Sequence, residues 1–375
     1  MRLLVNASNL GPGGATQVAD SFCSSLDRFS DIQFVVVLTP QMKNIAEKII
    51  GYENVKTVVY QIHNTWRSYL FARDKFLDNL VESENIDMVF SIFAPTWWTP
   101  RKPHLCGFAL AHLIMPESPY FKTLHFKQRL KQALMNKILT FYYWRSSKYY
   151  YTENPMVTER VHKLLHCRRV YTITNYYNQI FDQPENQVYK KMTSFDGVTL
   201  LTITSAYPHK NLSIAIDIAN NLKVKHPDFK FRFVFTIKET EYPSLPNEVK
   251  DNFLFIGRVD ISECPSLYEQ CDIAFQPTLL ECFTATYPES MRMNKPIVTT
   301  DLEFARGLCG DAAIYYDPLS AEDASEKIYF LANNKNMQLL LASKGKEQLN
   351  HFDNYTARAD KLVKCCIDVY DLYYR

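Results

Sequence analysis

The stretch Ile273-Ala274-Phe275-Gln276-Pro277-Thr278-Leu279-Leu280-Glu281-Cys282-Phe283-Thr284-Ala285-Thr286-Tyr287-Pro288-Glu289, continued by Ser290-Met291-Arg292-Met293-Asn294-Lys295-Pro296, decides how the chain is read. An apolar run stopped by a proline, then a short loop, then a helix start is how α/β proteins present backbone N–H groups to a phosphate. Glu281 and Glu289 stand on either side of that start. Carboxylates eight positions apart lie roughly 10 Å or more from each other if the chain between them is largely helical. Carboxyl pairs that cleave a glycosidic bond lie about 5 to 9.5 Å apart, so this spacing suits a long ligand held at two points. The same residues also fit a capping box, with Thr286 as N-cap, Glu289 reaching back to it, and Pro288 tolerated in the first turn. Both readings are open at this point.

The rest of the composition narrows the class. A chain of 375 residues has room for two or three domains. Its apolar fraction of 47% and charged fraction of 22% are those of an ordered globular protein. A net charge of +2 argues against a general nucleic-acid binder. The nine cysteines (23, 106, 167, 264, 271, 282, 309, 365 and 366) form no Cys-x-x-Cys and have no histidine cluster beside them, which predicts a reduced chain without structural zinc. No Asp-x-Asp or paired histidines suggest a metal site, and no cofactor is expected. Met1 to Val5 reaches Asn6 too soon for a signal-peptide core, and no apolar run approaches the roughly 18 residues of a membrane span. The expected location is the cytoplasm, or the inner face of a membrane as a peripheral protein.

In the N-terminal half, Leu3-Leu4-Val5, the loop Asn9-Leu10-Gly11-Pro12-Gly13-Gly14-Ala15-Thr16, an amphipathic helix to about Leu26 and Phe34-Val35-Val36-Val37-Leu38 make a βαβ unit. Glycines there let backbone approach a ligand. A dinucleotide fingerprint is not supported, because Thr16 stands where a third glycine belongs and Thr39-Pro40 follows the second strand. The alternation continues with a helix over about 66–84 and strands at 88–93, 105–110, 149–152 and 170–173. His112 follows one of these strands, where a doubly wound sheet places ligand contacts, although a lone histidine there also serves as a plain hydrogen-bonding residue. Residues 122–148 carry Lys122, Lys127, Arg129, Lys131, Lys137, Arg145 and Lys148 and no Asp or Glu, with Phe126, Leu130, Leu134, Ile138, Leu139, Phe141, Tyr142, Tyr143 and Trp144 interleaved. This reads either as a surface for anionic lipid or a lipid-linked phosphate, or as a domain helix with a solvated basic face. Residues 175 to about 194 read as a linker.

The alternation then restarts. Strands are predicted at 198–203, 231–235, 253–256, 273–275 and 297–300, with Gly257 closing the third, and helices at 211–225, N-capped by Asn211, and at 265–270. Lys210 at a helix N-terminus opposes the helix dipole unless an anion is bound there. Two Rossmann-like halves in series imply a ligand cleft.

Pro208-His209-Lys210-Asn211, Glu281-Cys282-Phe283-Thr284 with Glu289 beyond it, Asn294-Lys295-Pro296-Ile297-Val298-Thr299 and Gly310-Asp311-Ala312-Ala313-Ile314-Tyr315-Tyr316-Asp317-Pro318 resemble glycosyltransferase family 4 in order and spacing. The N-terminal half matches only through Gly13-Gly14 and His112. The resemblance implies an α/β protein of the GT-B fold. It would have an acceptor domain over 1–180, a nucleotide-sugar domain over 181–355, and a tail helix over 356–375 that crosses back to the first domain. It implies retaining, metal-independent transfer from a nucleotide-sugar to a lipid-linked or polysaccharide acceptor. Glu281 would contact the donor sugar and Glu289 the ribose, and the N–H groups of Cys282, Phe283 and Thr284 would hold the diphosphate beside Lys210. His112 would meet the sugar, and Gly13-Gly14 would close over the diphosphate. His209 and Gly257 join the donor-binding set, and Lys122, Lys127, Arg129 and Lys131 the membrane or acceptor set. Two departures stand out: Ser205 occupies the place of a usual second cation, and Cys282 and Thr284 that of two usual glycines. A catalytically silent partner subunit at the membrane and a nucleotide-sugar epimerase of the same fold are the alternatives.

Overall fold

The computed structural model describes residues 1–11, 13–63 and 66–375, with the side chains of 66–68 outside that description. Pro12 of the Gly-rich loop thus lies outside the described residues. The chain forms two compact units, one of residues 1–114, 126–175 and 353–375, the other of residues 115–125 and 176–352.

The first unit holds a seven-stranded parallel sheet of β1 (Arg2–Asn6), β2 (Gln33–Leu38), β3 (Val55–Val59), β4 (Met88–Ser91), β5 (His104–Gly107), β6 (Tyr149–Thr152) and β7 (Arg169–Thr172), in the order β3-β2-β1-β4-β5-β6-β7. Central strands are apolar throughout because both faces are covered. Leu3, Val5, Val36 and Phe90 face one layer, and Leu4, Val35, Val37 and Val89 the other. Its helices include α1 (Gly14–Cys23), α2 (Trp66–Phe71), α3 (Lys75–Ser83), α4 (Ala111–Ile114) and α5 (Phe126–Ser146). The single helix expected over 66–84 is two helices: Ala72 adopts a left-handed φ of 50°, and Asp74 caps α3 by accepting the Leu77 N–H at 2.9 Å. The strands expected over 88–93 and 105–110 end at Ser91 and Gly107. A Cβ at Gly107 would lie 2.1 Å from the Ile92 carbonyl oxygen, so only glycine lets β5 approach this closely.

The second unit holds a six-stranded parallel sheet of β8 (Val198–Thr202), β9 (Phe231–Phe235), β10 (Phe253–Phe255), β11 (Ile273–Gln276), β12 (Ile297–Thr300) and β13 (Ala313–Tyr316), in the order β10-β9-β8-β11-β12-β13. Phe231, Phe233, Phe235 and Phe275 pack with Ile214, Ala215 and Ile218 of α6 (Ile214–Lys225) on one face. The opposite face meets α8 (Thr286–Arg292), which follows α7 (Cys264–Glu269); there the Tyr287 hydroxyl and Thr299 Oγ1 lie 2.7 Å apart. Asn211 is not the cap of α6. It sits in the left-handed region at φ 51° after the turn Pro208–Lys210, and α6 begins three residues later. The last helix, α9 (Tyr355–Tyr374), belongs to the first unit, where Ala359, Leu362, Val363, Cys366 and Val369 complete the core around Leu3 and Val5.

Candidate functional site

In the second sheet β8 comes first, β9 and β10 extend to one side, and β11 returns on the other, so the strand order reverses between β8 and β11. Open parallel sheets bind ligands outside the carboxyl ends of their strands at such a point. β8 leads there to Lys210 and β11 to Glu281, and the two side chains meet, Nζ to Oε1, at 2.5 Å. Thr278 Oγ1 donates to the same carboxylate oxygen at 2.8 Å. The loops that carry them are fastened together: the Leu279 N–H donates to the His209 carbonyl at 2.8 Å, and Thr300 Oγ1 to the Thr278 carbonyl at 2.7 Å. Side-chain exposure is 19% for Lys210 and 11% for Glu281, so solvent screens the pair poorly and its charges act strongly on whatever binds beside it. The His209 ring stacks on Tyr207 and meets Tyr120 edge-on.

Between Glu281 and α8 the chain is an irregular loop. Among the described residues, the Phe283 and Thr284 N–H groups donate to no protein acceptor. Neither Cys282 nor Thr284 has a positive φ, so this loop makes no backbone demand for glycine and accommodates both departures without strain. The capping box does not form. Thr286 is the first helical residue, Ala285 occupies the N-cap without a side-chain bond, and Thr286 Oγ1 pairs with Thr284 Oγ1 at 2.9 Å. Glu289 turns inward instead, buried and accepting the Tyr268 hydroxyl of α7 at 3.1 Å. Burial pushes its carboxyl up to about 7, against the lowering effect of the Tyr268 bond. Gly257 lies past the end of β10, the outermost strand, with β9 and β8 between it and β11. Ser205 is exposed.

Gly13, Gly14 and His112 belong to the first unit. Its strand order reverses between β1 and β4, and β1 leads to the glycines. Gly13 has φ +128°, which L side chains rarely adopt, whereas an added Cβ at either glycine meets nothing within 4 Å. Conformation, not crowding, therefore selects glycine at 13. Asn9 Nδ2 spans the reversal point, donating to the carbonyls of Phe93 at 2.9 Å and Pro95 at 3.0 Å. His112 stands on α4 beyond β5, half-buried, its Nδ1 2.8 Å from Asn136 Oδ1 on α5. Burial holds its pKa below the ordinary imidazole value, partly opposed by the Asn136 bond.

Lys122 lies in the helical turn Tyr120–Thr123 of the second unit, and Lys127, Arg129 and Lys131 on α5; all four are exposed. Apolar side chains of α5 are exposed as well, at 79% for Phe126, 64% for Leu130 and 60% for Leu134. Leu139 and Tyr142, further along the helix, are half-buried. Tyr143 and Ser146, on the opposite side, are the residues that α5 buries.

Sequence reading missed Thr278, Tyr268, Asn136, Gln132 and Ser118, whose hydroxyl donates to the Leu279 carbonyl at 2.7 Å. Only Gln132 and Asn136 carried a signal, their four-residue spacing on one predicted helix. Ser118 and Tyr268 reach their partners across 161 and 21 positions.

Residues 190–348 match the family described as Glycosyl transferases group 1, and that span holds both loops of the Lys210–Glu281 pair. Over that span the chain is similar to the group 1 glycosyltransferases, and it is a glycosyltransferase. An uncharacterized glycosyltransferase of Methanocaldococcus jannaschii is 27% identical over 342 residues, 83% of this glycosyltransferase and 86% of that protein. A glycosyltransferase structure from Rickettsia africae superposes with a TM-score of 0.70 at 14% identity, covering 98% of each chain. The structure of Anabaena HepE in complex with UDP and glucose gives 0.65 at 13% identity, covering 97% of this chain and 99% of that one. The glycosyltransferase thus has the GT-B fold, two Rossmann-like parallel sheets. Among its described residues no helix is long and apolar enough to cross a membrane.

Proposed function

We propose that this glycosyltransferase belongs to family 4 and transfers a sugar, with retention and without a metal, from a nucleoside-diphosphate sugar to a lipid-linked or polysaccharide acceptor. The observation that carries the proposal is the Lys210–Glu281–Thr278 cluster at the reversal point of the second sheet, beside the open N–H groups of Phe283 and Thr284. In this reading the diphosphate occupies those N–H groups, joined by that of Cys282, and takes over Lys210, while Glu281, released from the ion pair, holds donor-sugar hydroxyls. Fixed donors beside a developing diphosphate charge stabilise the transition state without reorganising. The bond from the anomeric carbon to the leaving phosphate breaks, the acceptor oxygen bonds to that carbon on the same face, and the leaving phosphate takes the acceptor proton. Glu289 receives the ribose hydroxyls, and His209 and Gly257 line the donor side. Gly13, Gly14 and His112 are the candidate donor contacts that the first unit carries. Because HepE was observed with UDP and glucose, UDP-glucose is the first donor to try, followed by GDP- and ADP-sugars.

The exposed apolar face of α5, set among Lys127, Arg129 and Lys131 with no acid from 122 to 148, fits an anionic bilayer that presents the acceptor. The test is turnover of the donor with release of nucleoside diphosphate. Lys210→Ala and Glu281→Ala should each lower it by about 10²-fold or more, as losing one preorganised charge-stabilising group does, with the fold intact by circular dichroism. Near-normal turnover in both would remove the proposal. The exposed Ser205, where family members carry a cation, favours the silent partner subunit as a second reading. That protein would bind the nucleotide or its partner without turnover.

A further inference from the structure

His112 Nδ1, Asn136 and Gln132 form a closed hydrogen-bonded set, and its chemistry fixes more than a ring orientation. Asn136 Nδ2 donates to the main-chain carbonyl of His112 at 2.9 Å. A carbonyl oxygen only accepts, so the amide must present its oxygen to the other two partners. That Oδ1 lies 2.8 Å from His112 Nδ1 and receives Gln132 Nε2 at 2.8 Å. Flipping the Asn136 amide would lose the carbonyl bond and set its NH2 against the Gln132 NH2. An acceptor facing Nδ1 puts the imidazole proton on Nδ1, which leaves Nε2 with a bare lone pair. Gln132 Nε2, also 3.4 Å from His112 Nδ1, adds a donor and so holds Asn136 Oδ1 in its accepting role from the adjacent turn of α5.

We infer that Asn136, backed by Gln132, is a positioning residue that locks His112 in the Nδ1–H tautomer, so that Nε2 meets the donor sugar as a hydrogen-bond acceptor and selects a sugar with a free hydroxyl there. The inference rests on the reading above that His112 meets the donor. Burial keeps the ring neutral near pH 7, which preserves the lone pair; a protonated ring would offer a second N–H and lose this selectivity. The side chains bonded to the ring, Gln132 and Asn136, are neutral, and the charged group that packs on the same helix is Arg160, whose Nη1 donates to the Ile114 carbonyl at 2.9 Å.

Long-range 1H–15N correlation on 15N-histidine-labelled protein at about pH 7.5 reads the tautomer directly, with His112→Ala identifying its signal among the nine histidines. Wild type should show Nδ1–H, Asn136→Ala should convert to Nε2–H, and Asn136→Asp should keep Nδ1–H. An Nε2–H or doubly protonated ring in the wild type overturns the inference. In donor turnover, Asn136→Ala should lose about tenfold in kcat/KM, the scale of one shielded hydrogen bond. Asn136→Asp places a carboxylate beside Nδ1–H, raises the imidazole pKa, and should move the acidic limb of the pH profile upward by about one unit or more while sparing activity above about pH 8. A merely structural Asn136 would lower activity at every pH and leave the profile in place, which also overturns the inference. If His112→Ala turns over donor normally, the functional half falls with the reading it rests on, whereas the tautomer measurement still decides what Asn136 does to the ring.

Discussion

Glu289 shows how much a single side chain can carry. Its carboxyl is raised to about 7 by burial, so between about pH 4.5 and 7 the folded protein holds a proton that the unfolded chain has released. Stability therefore falls as pH rises through that window, by on the order of 3 kcal/mol at most. Glu289→Gln should make the unliganded protein more stable than wild type at pH 8 and no more stable at pH 4, read by urea denaturation, while weakening nucleoside-diphosphate binding. A variant that is less stable than wild type at pH 8 contradicts the burial of an ionisable group at this position. Both glutamates, Lys210 and the loop between Glu281 and α8 were legible because family spacing singles them out. What spacing could not show is their partners. Glu289 fits a capping box in sequence, yet the Tyr268 hydroxyl brought in by α7 holds it instead, and no local pattern encodes that bond.

Strands with buried faces were equally legible: β1, β2, β9, β11 and β12 are short apolar runs, and each lies near the interior of its sheet. β3 was missed because it is an edge strand, half-exposed, with Lys56 and Thr57 interrupting its valines. The sequence of α5 showed basic and apolar residues interleaved, but not which of them the fold leaves bare. With Phe126, Leu130 and Leu134 in solvent, α5 should bind vesicles containing anionic lipid. Lys127→Glu, Arg129→Glu and Lys131→Glu together should weaken that binding by about 100-fold or more, at roughly 1 kcal/mol per cation lost. Hydrolysis of a soluble donor should stay near wild type. Co-sedimentation unchanged in the triple variant would take the membrane away from α5.

At the scale of the molecule, each unit is a doubly wound sheet with its own reversal point, and α9 closes the first of them from the far end of the sequence. Arg358 of α9 is buried, bonded to Glu153 Oε1 at 2.7 Å and to Asn175 Oδ1. Burial raises the Glu153 carboxyl, and Arg358 opposes that rise. Arg358→Met leaves a lone buried carboxylate and should cost about 3–5 kcal/mol in chemical denaturation, most of it recovered when Glu153→Gln is added. Additive losses in the double variant would show that the two residues do not act as a pair. The claim on which the function turns is that the reversal point of the second unit, at Lys210 and Glu281, holds a nucleoside diphosphate. Calorimetric titration with UDP, GDP and ADP tests it most directly. One of the three should bind with a Kd in the micromolar range, and Lys210→Ala should weaken it by at least about tenfold, the worth of one charge-assisted contact. No binding by any of them, or an affinity unchanged in Lys210→Ala, would contradict it.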